Sequence, residues 1–381
     1  MKPVAHAAHT LAAVDNLTHS LFGWTLARAG LGRGTPYATA TLVLASNAPD
    51  ADIVTIAYGG IEYLAAHRGP THGPLGVIGL GLVTAGIIAA WARWRGRGRD
   101  GGTGAAGRPG AASGPGTAGG PGTAAGVTPR SMLRWWGLAM IGITGHLLMD
   151  LPTAYGTRLL SPFSATWFAF DWMPIIDVWL WIALVAALVI GRATDRRPRW
   201  AAIGLALMAL DYAARAGLHQ RALAHGAAFD AAGVHAPCAT AQTLVVHPAP
   251  AAGPPGNPGG CLAAAALPTF VSPFTWRVVR QSATGYEISD RSVLDLAAPP
   301  RSTRLTSDTG PDVGRARQTR AGQVYFDFAR FPIARVAAGS PATSVRLFDA
   351  RFVGLPANEA LADMSTNLSI RVALPPAGTV D

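Results

Sequence analysis

Histidine and aspartate residues recur inside and beside the most apolar stretches of this sequence. His146 and Asp150 are four residues apart, so on a helix they lie on one face, one turn apart, where both can bind one metal ion. His67 and His72 flank a Gly-Pro pair, and a turn there could bring their imidazoles together. Ionisable side chains at membrane depth are costly, and by default they mark a functional site or an ion pair. The residues of this kind are His19, Asp50, Asp52, His67, Arg68, His72, His146, Asp150, Asp171 and Asp177.

A set of His and Asp side chains without cysteine favours a divalent metal ion. Imidazole ligands favour Zn²⁺, whereas a larger share of carboxylates favours Mn²⁺. Each motif by itself also has a structural explanation. His146 and Asp150 could be a hydrogen-bonded pair at a helix end, and His67 and His72 could be two interfacial histidines. The combination is stronger than its parts, so we expect a metal site, with zinc favoured over manganese.

The two aspartates of the segment NAPDAD could have different roles. Pro49 predicts a broken helix, so Asp50 or Asp52 could bind the metal while the other orients a histidine or caps a helix. Arg68 could bind a phosphate or carboxylate of a substrate. It could equally form an ion pair with Asp50 or Asp171.

The composition indicates a membrane protein. Of the 381 residues, 50% are hydrophobic and 14% are charged, and the mean hydropathy is +0.26, whereas about 25% of the residues of a soluble domain are charged. This composition argues against an ordinary soluble enzyme. Several apolar runs are long enough to compare with a bilayer core of about 30 Å. We expect five or six membrane helices, from the segments 17–31, 36–58, 73–92, 133–149, 174–191 and 200–218.

Basic residues give these helices an orientation. Lys2 is the only lysine, and much of the net charge of +10 lies in two arginine-rich segments, 93–134 and 192–199. The positive-inside rule makes both segments cytoplasmic, so this charge reflects topology, and no direct binding of nucleic acid is expected. The chain after residue 218 is then extracytoplasmic, where Cys238 and Cys261 could form a disulfide.

The same crossings place most of the His and Asp side chains toward the non-cytoplasmic face. His19 joins them if segments 17–31 and 36–50 form a helical hairpin. Otherwise His19 is an ordinary residue of an N-terminal helix.

The expected fold is therefore an α-helical membrane bundle with a C-terminal, extracytoplasmic, strand-rich domain. Residues 1–94 and 131–218 supply the helices, and 95–130 is a disordered cytoplasmic loop rich in Gly, Ala, Pro and Arg. Residues 219–381 form the mixed or strand-rich domain, in which β-branched and aromatic residues partly alternate. The predicted strands are 274–279, 323–328, 344–353 and 367–374, and 248–260 is a predicted linker.

Five motifs, in this order, are similar to those of one known family: THSLFGW, NAPDAD, HRGPTH, GHLLMDLPTAYGTRLLSPF and FDWMPIIDVWLW. They resemble the LexA-binding, inner-membrane-associated, metal-dependent hydrolases over residues 15–180. Ala48 stands where this family commonly has leucine. The resemblance implies a multi-pass protein of the inner membrane and a LexA-type partner. It also implies metal-site residues, for which we select His19, Asp50, His67, His72, His146 and Asp150, with Asp52, Asp171 and Arg68 as catalytic residues.

The expected function is metal-dependent hydrolysis of an ester or phosphoester, with membrane lipid or a lipid-linked molecule as the partner class. One alternative is a non-catalytic membrane protein in which the His/Asp cluster is structural and the external domain binds a partner. Another is a transporter in which the cluster binds a cation, although the sequence contains no evident inverted repeat.

Overall fold

Helices fill the first part of the chain, and strands fill most of the rest. The structure is a computed structural model and describes residues 16–100, 127–243, 245–247, 260–337, 343–353 and 369–374. The first helices are α1 (residues 16–28), α2 (Ala38–Asn47), α3 (Gly60–Ala66), α4 (Pro74–Asp100), α5 (Pro129–Asp150), α6 (Val178–Ala193) and α7 (Arg197–Ala228). Two 3-10 helices, Pro49–Tyr58 and Pro70–His72, connect α2 to α3 and α3 to α4.

The strands of the described residues form three sheets. The largest has the order β2-β4-β5-β6-β7, and its β2–β4 pair is parallel while the other pairs are antiparallel. A three-stranded antiparallel sheet has the order β10-β9-β8, and β1 pairs with β3. Helices α8 (Pro311–Gln318) and α9 (Arg320–Phe328) precede β8. The strands are β1 (Trp167–Ala169), β2 (Cys238–Ala241), β3 (Val245–His247), β4 (Cys261–Pro268), β5 (Thr275–Gln281), β6 (Gly285–Ser292), β7 (Arg301–Thr306), β8 (Pro332–Ala337), β9 (Ser344–Asp349) and β10 (Ser369–Ala373).

Small residues allow α1, α2 and α5 to approach closely. A Cβ atom added at Gly23 in α1 would lie 2.8 Å from the Leu42 carbonyl oxygen of α2. One added at Gly142 in α5 would lie 2.8 Å from the Ala45 Cβ of α2. Because residues four apart share a helix face, this contact also brings His146 against α2.

The prediction of a five- or six-helix membrane bundle is wrong. Among the described residues, two helices are long and apolar enough to cross a membrane, Pro74–Gly96 and Arg197–Ala228. Helix α6 has 16 residues, about 24 Å, which is shorter than a bilayer core of about 30 Å. Segment 36–58 forms the ten-residue α2 and a 3-10 helix, because Pro49 cannot supply the backbone N–H that would continue α2.

The other two predicted spans also differ from expectation. Helix α1 covers 16–28 and is shorter than a bilayer core. Helix α5 has 22 residues, but Arg134, His146 and Asp150 reduce its apolar character. The described part of the chain is thus a mixed helical region followed by strand-rich sheets.

Helix α7 joins the helical region to the largest sheet. Its 32 residues extend about 48 Å, well beyond a bilayer core of about 30 Å. Ala222 and Leu223, in its last turns, pack with Ala264 and Trp276 of the sheet. A Cβ atom added at Gly226 would lie 2.6 Å from a Val278 methyl group, so helix and sheet are in direct contact.

The strand predictions are confirmed in part. Strands β5, β9 and β10 overlap the predicted segments 274–279, 344–353 and 367–374. Segment 323–328 is instead the end of α9, because its buried residues are spaced for a helix and Thr319 caps the first turn at Gly322 N.

The sulfur atoms of Cys238 and Cys261 are joined by a disulfide, which links β2 to its parallel neighbour β4. The ends of the predicted disordered loop at 95–130 are helical, because residues 95–100 belong to α4 and residues 129–130 begin α5. The rest of that loop, 101–126, and residues 248–259 of the predicted linker at 248–260 lie outside the described residues, so these parts stay predictions.

Two glycines of α5 test the close helix packing. Gly142→Ala should lower the free energy of unfolding by about 1–3 kcal/mol, because the new methyl group overlaps Ala45. Gly137→Ala should raise it by up to about 1 kcal/mol, because alanine favours a helix and this Cβ meets no described atom within 4 Å. Denaturant unfolding of the detergent-solubilised protein measures both. Equal effects of the two substitutions would contradict the packing.

Candidate metal centre

Four buried side chains converge where α2 and α5 end. His146 and Asp150 come from the last two turns of α5, Asp50 from the 3-10 helix after α2, and His72 from the turn before α4. Each offers one ligand atom, and these atoms all lie within 4.8 Å of one another. We call these four residues the central cluster.

The innermost three atoms of the central cluster form a small triangle. His72 Nε2 and His146 Nε2 are 3.2 Å apart, and each lies 3.2 Å from Asp150 Oδ2. Ligand atoms of a tetrahedral zinc ion are about 3.3 Å apart for bonds of about 2.05 Å. The triangle therefore has the spacing of a ligand set.

The outer nitrogen of His146 determines where its proton lies. His146 Nδ1 is 2.8 Å from the Ser46 carbonyl oxygen, which can only accept a hydrogen bond. Nδ1 is therefore the donor, and a neutral His146 carries its lone pair on Nε2. This lone pair points into the central cluster.

A hydrogen-bond chain orients His72 in the same way. Burial disfavours the charged form and holds the pKa of His72 below its ordinary value, so the ring is neutral near pH 7. Thr71 Oγ1 donates its proton to Asp52 Oδ2 at 3.0 Å, and it therefore accepts from His72 Nδ1 at 2.9 Å. His72 Nε2 then carries a lone pair, so the triangle contains three acceptors.

Asp50 adds a further carboxylate. Its Oδ1 lies 3.6 Å from His146 Nε2 and 3.8 Å from His72 Nε2. Both carboxylate oxygens are buried, and neither accepts a hydrogen bond from any described residue. A buried carboxylate is costly unless a cation or donors compensate it, so its surroundings fit a bound metal ion.

Asp52 holds a second histidine. Asp52 Oδ1 lies 2.9 Å from His67 Nδ1, and Oδ2 accepts hydrogen bonds from the Arg68 backbone N–H and the Thr71 hydroxyl, each at 3.0 Å. Burial raises the pKa of Asp52, but its interaction with His67 and the Thr71 hydrogen bond oppose burial, and the pKa lies below its ordinary value. With Asp50, Asp52 and His67 form a second buried group that could hold a metal ion.

Arg68 forms an ion pair with Asp150, a partner that the sequence analysis did not name. Its Nη2 lies 3.0 Å from Asp150 Oδ1, and its Nη1 donates to Thr153 Oγ1 at 2.8 Å. The backbone φ of 53° lets the N–H face Asp52 while the guanidinium reaches Asp150. Burial disfavours ionisation of Asp150, but the positive charge of Arg68 opposes this effect, and the pKa of this carboxyl lies well below its ordinary value.

Of the remaining predicted residues, His19 lies beside the central cluster, whereas Asp171 and Asp177 have partners elsewhere. His19 Nε2 lies 3.6 Å from Asp150 Oδ1, and its ring is 3.9 Å from that of His146, so α1 contributes to the wall of the cluster. Asp171 is paired with Arg330 of the strand-rich region at 2.6 Å. Asp177 caps α6 at Trp179 N and Leu180 N.

A comparison with known families covers the whole of this site. A family model described as YdjM inner membrane protein matches residues 14–222, more than half of the chain. The chain belongs to the YdjM inner membrane protein family. No curated protein and no solved structure matches it.

Membership in the YdjM family confirms the inner-membrane part of the predicted resemblance. The match includes every member of the central cluster, and it ends within α7, before the largest sheet begins. It contains nothing on LexA binding or on hydrolysis, which stay predictions.

Two groups that orient the histidines were missed by sequence reasoning. Ser46 acts through its backbone carbonyl, so its residue type carries no signal. Thr71 lies inside HRGPTH, and a hydroxyl next to His72 was a signal that could have identified it. Ligand histidines commonly donate their other ring N–H to such an acceptor.

Substitutions in the central cluster should remove bound metal. His72→Ala, His146→Ala and Asp150→Ala each delete a converging ligand atom, so elemental analysis of folded, detergent-extracted protein should show most of the metal lost. His235→Ala, at an exposed position outside the cluster, should leave the metal content unchanged.

Two substitutions of Thr71 extend the same experiment to a residue that orients a predicted ligand. Thr71→Val should weaken metal binding about 10- to 100-fold in a chelator competition, because His72 loses its orienting acceptor. Thr71→Ser should retain the affinity. Wild-type protein that holds no transition metal, or metal content that all these variants share, would contradict the metal site.

Proposed function

We propose that this protein is a membrane-bound, metal-dependent hydrolase. The observation that supports the proposal is the triangle of His72 Nε2, His146 Nε2 and Asp150 Oδ2, whose lone pairs converge with no proton between them when both rings are neutral. Asp50, His72, His146 and Asp150 would hold the ion, with His19 beside them. Two imidazoles favour zinc over manganese. When bound, such an ion would polarise an ester or phosphoester and lower the pKa of bound water toward about 7.

In this proposal, His67 accepts a proton during hydrolysis, and Asp52 orients it. Asp52 already accepts three hydrogen bonds, so its role in this proposal is to orient His67 and, through Thr71, His72. A neutral His67 that donates from Nδ1 to Asp52 carries its lone pair on Nε2, where it can accept a proton. Arg68 is buried and committed to Asp150, so its role is to position that ligand.

A second candidate is a non-catalytic protein in which the cluster is a polar network that holds the helices together. The specific observation in its favour is that protonated forms of His72 and His146 would each pair with Asp150 at 3.2 Å. The two candidates differ in metal content and in turnover.

The arrangement of charge supports a membrane orientation. Arginines lie where α1, α4 and α6 end and where α5 and α7 begin, at Arg28, Arg95, Arg192, Arg130 and Arg197. The central cluster lies at the other ends, after α2 and α5 and before α4. The positive-inside rule makes the arginine end cytoplasmic, and the Cys238–Cys261 disulfide suits an oxidising compartment for the strand-rich region. In this orientation the substrate would be a lipid or a lipid-linked molecule at the outer boundary.

Reporter fusions test this orientation. A reporter after residue 110 should be active in the cytoplasm, and one after residue 230 should be active outside it. Activity of both reporters on one side of the membrane would contradict the proposed topology. The metal proposal is tested separately, by the metal content of the variants.

Hydrolysis itself is tested with bis-(para-nitrophenyl) phosphate and para-nitrophenyl acetate. His67→Gln should lower the rate per bound metal about 100-fold, because it removes the proton acceptor and leaves the four central ligands in place. His235→Ala is the control. Metal-loaded wild-type protein that turns over neither probe, or a rate unaffected by His67→Gln, would favour the polar network.

A further inference from the structure

A basic cavity lies at the end of the helices opposite the central cluster. It has a volume of about 800 Å³ and lies between the α1–α2 turn and the α6–α7 turn. Arg28, Arg33 and Arg197 line it, together with Asp195 and Tyr37. In α1, Arg28 is nine residues from His19, about 14 Å along the axis, so this cavity is separate from the proposed metal site.

Positive charge in this cavity is not neutralised within the described part of the chain. Arg28 packs over the Trp24 ring at 5.9 Å, but Arg28, Arg33 and Arg197 have no ion pair with any described residue. Asp195 is the one carboxylate in the lining. The long helix α7 begins here, and its N-cap residue Arg196 makes no side-chain cap, so the positive end of its dipole adds to the field.

An apolar cavity continues from the basic one. It has a volume of about 180 Å³ between α1 and α6 and shares Arg28 and Arg197 with the first cavity. Its other lining residues are mainly apolar: Leu21, Trp24, Val185, Ala187, Leu188 and Val189, with Arg192 at the edge. Trp24, Val185 and Val189 are exposed, so this surface opens to the surroundings of the helices.

We propose that the two cavities together bind one anionic phospholipid of the inner membrane. The phosphate group lies among Arg28, Arg33 and Arg197, and one acyl chain lies along α1 and α6. A free phosphate would leave the apolar cavity unused, and a zwitterionic lipid would leave the arginines uncompensated. Membership in an inner membrane protein family brings the chain to a membrane, where such lipids are available.

The experiment measures lipid affinity of the full chain in detergent by native mass spectrometry. The probes are dioleoyl phosphatidylglycerol, dioleoyl phosphatidylcholine and inorganic phosphate. Phosphatidylglycerol should bind at least about tenfold more tightly than phosphatidylcholine, and inorganic phosphate should not displace it at equal concentration.

Matched double variants locate the site. Arg28→Gln with Arg197→Gln should weaken phosphatidylglycerol binding about tenfold or more. Arg93→Gln with Arg130→Gln removes the same charge near the same end, outside both cavities, and should change binding less than twofold. If the first double variant does not fold, Arg33→Gln at an exposed turn position replaces it, with a smaller loss expected.

Three results would overturn the proposal. Equal losses in the two double variants would show a diffuse charge effect. Equal affinity for the two lipids would remove the role of the anionic group. Displacement by inorganic phosphate at equal concentration would show a simple anion site.

Discussion

The helical region depends on the compensation of one buried charge, the Asp150 carboxylate. It is buried, and a buried carboxylate destabilises a protein unless cations and donors surround it. Arg68 holds Oδ1 at 3.0 Å, while His72 and His146 face Oδ2 at 3.2 Å. These partners come from the HRGPTH segment and from α5, so satisfying one charge fixes how two distant parts of the sequence meet.

A series of contacts connects Arg68, the partner of Asp150, to the strand-rich region. Arg68 is held by Thr153, and the same loop is bound from the other side by Arg351, which donates to the carbonyl oxygens of Ala154 and Tyr155 at 2.8 and 3.3 Å. Arg351 is itself paired with Asp349 at the end of β9. The strand-rich region therefore supports the loop that positions Arg68, even though it contributes no member of the central cluster.

The helices carry two chemically different ends. Histidines and carboxylates collect where α5 ends, and arginines collect where α6 gives way to α7. Close packing of α1, α2 and α5 through Gly23 and Gly142 holds the first end together, since it brings the Ser46 carbonyl to His146. At the second end, the basic cavity is lined by Arg28, Arg33 and Arg197 and, among the described residues, by one carboxylate, Asp195.

Residue type and spacing were sufficient to predict the His and Asp side chains that meet in the central cluster. The four-residue interval between His146 and Asp150 is a helix property, and the burial of polar groups in apolar surroundings follows from their neighbours in the sequence. The strand predicted at 274–279 from its alternation is observed as Thr275–Gln281. These features depend on contacts within a few residues, which is why the sequence alone determined them.

Long-range partners were decided only by the tertiary structure. Pro49 predicted the break that ends α2, but segment 36–58 was still counted as a span. Hydropathy also does not show that α6 is too short to cross a bilayer alone, so the predicted number of spans was wrong. Arg68 pairs with Asp150 because the left-handed backbone at Arg68 points both its N–H and its side chain inward. Asp171, predicted beside the cluster, pairs with Arg330, 159 residues away, because it follows β1 and meets the strand-rich region there. The sequence determined which groups need a partner. The partners themselves depend on how distant segments pack, because a buried charge pairs with the counter-charge that the fold brings close to it.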